Sequence, residues 1–310
     1  MEKEKFKERF TKFHDKNYKL LLLIPLILII SGFVYMGFFY SQHHDFINKD
    51  VSLTGGTTVT IDVINKPIDT DNIKKIFSEK LESVNVREIS DLFTNQQKAV
   101  VVEIKTETCD EQQITPIKKI LEDYLGYQLN GENSSFECTG SALSGNFYQQ
   151  LLMAILIAFV LMALVVFIQF KSFIPSVAVI FSAFADIFMT LVVANMLGMQ
   201  ISSAGIVAFL MLIGYSVDTD ILLTTKTIKR DYGSLNRRLF ESFKTGITMT
   251  LTSLTAVLVA LIVVGPFSSI LSQIFTIMII GLVFDIFNTW VTNVSIIKWY
   301  VLKKQKKHEA

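Results

Sequence analysis

Several stretches of this chain carry almost no charge for longer than any water-soluble helix requires. Leu20 to Tyr40 is one uninterrupted apolar run, and Cys138 to Phe170 contains a second. Ser172 to Val217 holds a single charge, Asp186, and is long enough for two helices and a turn. Thr245 to Phe284 holds none, and its apolar pattern continues past Asp285 to Ile297. A helix crossing the hydrocarbon core of a bilayer needs roughly 20 mostly apolar residues. The spacing predicts six spans, at about 20–40, 148–170, 174–194, 201–225, 244–264 and 272–300. A mean hydropathy of +0.45 over 310 residues, 51% of them hydrophobic, fits that reading. The first run is too long for the apolar core of a cleaved leader, and no small-residue cleavage site follows it, so it reads as an uncleaved span.

Charge is balanced overall, 29 basic against 28 acidic residues, and gives no ground for a nucleic-acid partner. Its placement is informative. Lys and Arg crowd residues 1–19, Lys171, the segment 226–244 and the tail from Lys298 onward, whereas 195–200 and 265–271 have no charge. Positive charge collects on the cytoplasmic side of spans. The expectation is a multi-pass protein of the cell membrane with both termini cytoplasmic. Its parts are a basic N-terminus (1–19), a first span (20–40), an extracytoplasmic domain (41–147), spans 2–6 (148–302) and a basic tail (303–310).

Residues 41–147 change composition sharply. Thr57–Val63 alternates as a strand, and Asp69–Leu81 reads as a helix with Ile73, Ile76, Phe77 and Leu81 on one face and Asp69 as N-cap. Val84–Phe93 and Lys98–Lys105 read as a hairpin, Asp110–Leu125 as a second helix, and Tyr127–Leu129 with Ser134–Cys138 as a last strand or small hairpin. The order β-α-β-β-α-β is the ferredoxin-like pattern. The fold class predicted is thus a membrane α-helical bundle of six transmembrane helices, with a ferredoxin-like α+β extracytoplasmic domain between helices 1 and 2. In that arrangement Cys109 and Cys138 both lie at the membrane-proximal end, in a compartment that permits a disulfide; two free thiols are the alternative.

Four carboxylates fall inside spans: Asp186, Asp218, Asp220 and Asp285. Each centrally placed Asp costs on the order of 2.5–3.5 kcal/mol on insertion scales. Without a base beside it, such a group holds a proton, accepts hydrogen bonds, binds a cation or meets a base on another subunit. Hydroxyls and amides are at hand: Thr248 and Thr252 on span 5, Asn288 and Thr292 on span 6. These make a proton or ion path, or else a set of structural interhelical hydrogen bonds. Asp218 and Asp220 stand about 200° apart around a helix, so only one can face a given spot. Asp220 continues a polar line with Ser216 and Thr224, while Asp218 lies one turn from Gly214; local pattern does not choose between them. No phosphate loop, catalytic triad or metal cluster is evident, and no cofactor or enzymatic activity is expected. One span, a large outer loop and then five clustered spans is the shape of half a pseudo-symmetric transporter.

Four stretches carry a family resemblance. Asp50-Val51-Ser52-Leu53-Thr54-Gly55-Gly56-Thr57 looks like the D-F-T-G-G-T element that opens the outer domain in the SecD/SecF family, and AFADIFMTL at 184–192 resembles that family's third-span H-D-V-I-x-T-L element. GYSVDTDILLTTKTIKR at 214–230 and TLTSLTAVLVAL at 250–261 resemble its fourth- and fifth-span signatures. In order and spacing they cover nearly the whole chain, which is similar to the SecF half, a relative of the RND transporters. The resemblance implies a SecD partner, a SecYE-type translocon nearby, and a translocating polypeptide handled on the outer side with use of the proton gradient. The bacterial fourth-span signature G-Y-S-x-N-D places its acid on Thr219, and the bacterial fifth-span Arg falls on Thr248. The V-D-x-[ND]-I-L form is closer to archaeal SecF and favours Asp218 as the ion-responsive group, with Asp186 and Asp285 tuning it and Thr248, Thr252, Asn288 and Thr292 bonding to it. Gly55, Gly56 and Thr57 would hinge the outer domain. The alternative is a subunit of an RND-type small-molecule or lipid transporter.

Overall fold

The computed structural model describes residues 21–63, 66–78, 84–90, 96–105, 111–228, 234–265 and 268–309. Six of its helices are long and apolar enough to cross a membrane. In chain order these are α1 (Leu23–His43), α5 (Ser141–Phe170), α6 (Phe173–Met196), α7 (Ser203–Ile228), α8 (Leu235–Val264) and a last helix in three parts. That helix runs as α9 (Ser269–Phe287), a π-helical turn at Asn288–Asn293, and α10 (Val294–Glu309).

Between α1 and α5 lie a short helix α2 (Val51–Thr54), then β1 (Gly56–Asp62), α3 (Thr70–Ser78), β2 (Val84–Ser90), β3 (Gln97–Ile104), α4 (Glu111–Leu125) and β4 (Ser134–Thr139). Residues 127–129, grouped above with the last strand, form no strand; Leu129 instead inserts into the core. The strands make one antiparallel sheet in the order β2-β3-β1-β4, with Val59 opposite Val102 on one side and Phe136 on the other. Side chains alternate across a strand. One face therefore gathers Val59, Ile61, Val100, Val102 and Ile104 against Ile73 and Phe77 of α3 and Ile117 and Leu121 of α4, all buried. Asp69 caps α3, its Oδ1 accepting from the amides of Asp71 (3.0 Å) and Asn72 (3.2 Å). The opposite face carries the buried Glu103, ion-paired to Arg87 and accepting from Asn85 Nδ2 at 3.1 Å.

The sheet domain is strapped to one end of the bundle. The Ile201 amide donates to the Asn48 carbonyl (2.7 Å) and the Asp50 amide to the Ile201 carbonyl (3.1 Å), a parallel bridge between the domain's entry strand and the α6–α7 loop. Asn195 Nδ2 donates to the Phe46 carbonyl (2.8 Å), and the Ser203 amide to Ser52 Oγ (3.1 Å). Gln273 at the start of α9 binds both Ser202 and the Gln200 carbonyl, closing the junction from the third side.

Gly55 and Gly56, read above as a hinge, sit in this junction as a close crossing. Gly55 has φ +85°, and a Cβ there would meet the Ser141 amide nitrogen and Cα at 2.6 Å. A Cβ on Gly56 would collide with the Ile104 carbonyl oxygen. The glycines are required because three chain segments meet where no side chain fits.

Within the bundle α6 and α7 are central, 56% of each apolar window being buried, while α5 and α8 have 6% each and lie on the outside. Packing against α6, α7 and α8 places α9 and the π turn beside the buried polar side chains of those helices.

Candidate functional site

Three of the four intramembrane carboxylates meet at the centre of the bundle, each fully shielded from solvent: Asp186, Asp220 and Asp285. Helical spacing puts them there. On α6, Ser182, Asp186 and Thr190 recur every fourth residue on the face turned to α7 and α9; on α7, Ser216, Asp220 and Thr224 do the same, and all six are buried.

Each carboxylate is held by neutral donors. Asp186 Oδ2 accepts from Ser216 Oγ at 2.5 Å and its Oδ1 from Asn288 Nδ2 at 2.6 Å. Asp220 Oδ1 accepts from Asn293 Nδ2 at 2.7 Å and from Thr289 Oγ1 at 2.9 Å. Asp285 Oδ2 accepts from Thr250 Oγ1 at 3.3 Å, and its Oδ1 lies 3.2 Å from Thr289 Oγ1. Thr292 Oγ1 steadies Asn288 by donating to its Oδ1 at 3.3 Å. The ion pairs Lys49–Asp45, Arg87–Glu103, Lys118–Glu122 and Arg237–Glu241 all lie away from the cluster.

The hydrogens in this network can be counted. Thr289 has one hydroxyl hydrogen and stands between Asp220 and Asp285. If it donates to one carboxylate, its contact with the other is a hydrogen bond only when that carboxyl brings a hydrogen of its own. The arrangement is therefore complete with a proton resident on the Asp220–Thr289–Asp285 chain. The Ser182 hydroxyl acts on the Asp220 carboxyl as a further neutral donor, while Asn293 Oδ1 and the Thr224 hydroxyl are buried without a hydrogen-bond partner among the described residues. Chemically, the cluster can take up and release a proton or accept a small cation on its oxygen atoms.

Asp218, favoured above as the ion-responsive group, is not part of it. It lies on the exposed side of α7, and Asp220 holds the internal position. The 200° between them settles which one enters once the buried face of α7 is fixed by Ser216 and Thr224. Thr248 and Thr252 also point outward, each donating to its own helix backbone, to the Lys244 carbonyl (2.8 Å) and the Thr248 carbonyl (2.7 Å). Thr250, two positions from each and about 200° around the helix from Thr248, is the hydroxyl of α8 that reaches the cluster. Asn288, expected on Asp218, binds Asp186 instead, and Thr292 joins the cluster through Asn288.

Thr289, Asn293 and Thr250 were not singled out from sequence. The first two share the site with Asn288 and Thr292 because the π turn widens the helix, so that five-residue spacing joins four-residue spacing on one face. Thr57 Oγ1 donates to Cys138 Sγ at 3.6 Å across β1 and β4. Cys109 lies outside the described residues.

Comparison with known proteins places these features in context. A family model described as protein export membrane protein SecD/SecF, C-terminal, matches residues 119–303. The SecF protein-export membrane proteins of Methanocaldococcus jannaschii and Methanothermobacter thermautotrophicus are 39% and 32% identical. The first match covers 94% of this chain and 99% of the relative, the second 92% and 93%. The crystal structure of SecDF from Thermus thermophilus, a translocon-associated membrane protein, superposes with a TM-score of 0.69 at 16% identity, over 92% of this chain and 38% of that one. The chain thus shares the fold of about two fifths of that longer protein.

Proposed function

The chain belongs to the SecD/SecF family as a SecF subunit of protein export, and on that premise we propose that its Asp186–Asp220–Asp285 cluster is the element that answers to the ion gradient. One observation carries this reading: three carboxylates are buried together, Asp220 and Asp285 sharing Thr289 while Asn288 holds Asp186 and Asn293 holds Asp220, and their donors among the described residues are neutral. A structural polar core gains nothing from three acids where three amides would do. A site that exchanges protons or a monovalent cation needs them.

In this reading the protein pairs with a SecD-type subunit and works beside a SecYE-type translocon. The sheet domain is ferredoxin-like and extracytoplasmic, and contacts emerging polypeptide or the partner's outer domain. Both termini are cytoplasmic and the membrane is the cell membrane. The strap at Asn48, Asp50 and Ile201 supports a direct mechanical path, because movement of α6 and α7 around the cluster reaches the sheet domain through paired backbone. Family membership displaces the small-molecule or lipid transporter alternative.

The test is reporter export in membrane vesicles containing the native translocon, with the proton gradient intact or collapsed by an ionophore. Asp220→Asn, Asp186→Asn and Asp285→Asn should each reduce export to the rate that wild type shows without a gradient. Replacing the protons by a sodium gradient separates the two ions. Full gradient stimulation in all three variants would leave the cluster with a structural role alone.

A further inference from the structure

The sheet domain meets the bundle at a second polar centre, separate from the carboxylate cluster. Its charged members are Asp50 in the strap, Arg87 on β2 and Glu103 on β3, and each acid is only 5% exposed. Asn85 stands opposite Glu103 and Arg87 opposite Val101, so Arg87 and Glu103 are diagonal neighbours on the sheet face turned away from α3 and α4. Both Glu103 oxygens are engaged: Oε1 holds Arg87, and Oε2 accepts from Asn85 Nδ2 at 3.1 Å. The β2 edge also packs against α9, so the same strand touches the bundle.

Asp50 is placed differently. Its backbone is committed, the amide to the Ile201 carbonyl (3.1 Å) and the carbonyl to the Leu53 and Thr54 amides (3.0 and 3.1 Å). Its side chain caps nothing, although it stands at the start of α2. Oδ1 is buried with no hydrogen-bond partner among the described residues. The neighbouring base, Lys49, is occupied elsewhere: it pairs with Asp45 and lies 4.2 Å from the centre of the Tyr148 ring. The cation within reach of the Asp50 charge is Arg87. Burial lowers the Arg87 pKa from its ordinary value, and the charge of Asp50 raises it against that. One guanidinium thus stands between two buried carboxylates and is bonded to Glu103.

A buried carboxylate oxygen without a donor is costly. With Arg87 on Glu103, that oxygen is Asp50 Oδ1. With Arg87 on Asp50 it would be Glu103 Oε1, since Asn85 holds only Oε2. Either position leaves one oxygen bare, and near-equal costs are the condition for a two-state contact. Five N–H donors in a planar fork let the same side chain serve either acid.

We propose that Arg87 is a two-position latch between the sheet domain and the bundle. On Glu103, as in this structure, it leaves the junction to the neutral contacts of the strap. On Asp50 it ties β2 to the strap by an ion pair and tightens the junction. The position of one side chain then decides how firmly the sheet follows α6, α7 and α9. This rests on the geometry of the junction and not on the ion coupling proposed above.

The test is hydrogen–deuterium exchange of the full chain in detergent, read as protection of the Asp50 and Ile201 amides that close the strap. If the Arg87–Glu103 pair were structural alone, Glu103→Gln would loosen the junction, because a buried cation loses its partner. The latch predicts the reverse: Arg87 passes to Asp50, and both amides become about threefold better protected than in wild type. Asp50→Asn removes no hydrogen bond that Oδ1 makes here, yet it abolishes the second position, and protection should fall about threefold. Arg87→Gln should do the same, and adding Asp50→Asn to it should change nothing more. Unchanged or weaker protection in Glu103→Gln, or wild-type protection in Asp50→Asn, would overturn the proposal. The second arm decides alone if Glu103→Gln does not fold, since Asp50→Asn leaves the ion pair of the sheet intact.

Discussion

Thr289 stands between two acids with one hydrogen to give. Its hydroxyl lies 2.9 Å from Asp220 and 3.2 Å from Asp285; removing it leaves Asp220 Oδ1 with Asn293 Nδ2 and strands Asp285 Oδ1. A buried acceptor left unsatisfied costs about 1–3 kcal/mol. Thr289→Val keeps the shape and deletes the hydroxyl, whereas Thr289→Ser keeps the hydroxyl and deletes a methyl. The expected result is a clear fall in melting temperature in detergent for the valine variant, together with loss of the gradient response, and near-normal behaviour for the serine variant. If valine and wild type melted and exported alike, Thr289 would not be the link between the carboxylates. At this scale the sequence was only partly legible. It showed that acids lie in the membrane and which hydroxyls lie near them, and the polar line of Ser216, Asp220 and Thr224 was visible. Choosing Asp220 over Asp218, and Thr250 over Thr248 and Thr252, depends on how each helix is rotated about its axis, and that is set by the neighbouring helices.

Helices and strands follow local periodicity, so most of the elements could be read from the chain directly. The exceptions are places where the pattern answers to something distant. The π turn at Asn288–Asn293 has no local signature, yet it allows one helix to aim Asn288 at Asp186 and Asn293 at Asp220. The Gly55-Gly56 pair reads locally as a hinge, but its neighbours in space are Ser141 and Ile104, far along the chain. Gly55→Ala must place a Cβ against the Ser141 backbone at φ +85°. Strain of that kind costs on the order of 1–3 kcal/mol. The sheet domain should then loosen from α5 while the helical bundle stays folded. Limited proteolysis reads this as faster cleavage between residues 41 and 140 with an intact membrane fragment. Proteolysis at the wild-type rate would restore the hinge reading.

The whole molecule is asymmetric along its long axis. One end holds the sheet domain and the uncharged α6–α7 loop, and the other holds Lys171, Lys226, Arg237, Lys244 and Lys303. That asymmetry orients a protein in a membrane more firmly than any single residue does. In the orientation proposed above, Asn130, before β4, lies outside the cell and Ser234, before α8, inside. A cysteine at Asn130 should react with a membrane-impermeant maleimide in intact cells. One at Ser234 should react only in inverted vesicles. Both variants retain Cys109 and Cys138, so the unsubstituted protein sets the baseline. If those two are joined, as the outer compartment permits, wild-type protein unfolded without reductant takes up no maleimide, and after reduction takes up two equivalents per chain. Labelling of Ser234→Cys in intact cells would invert the topology. The sheet domain would then face the cytoplasm, where it could not meet polypeptide that has already crossed, and its proposed role would fall with the orientation.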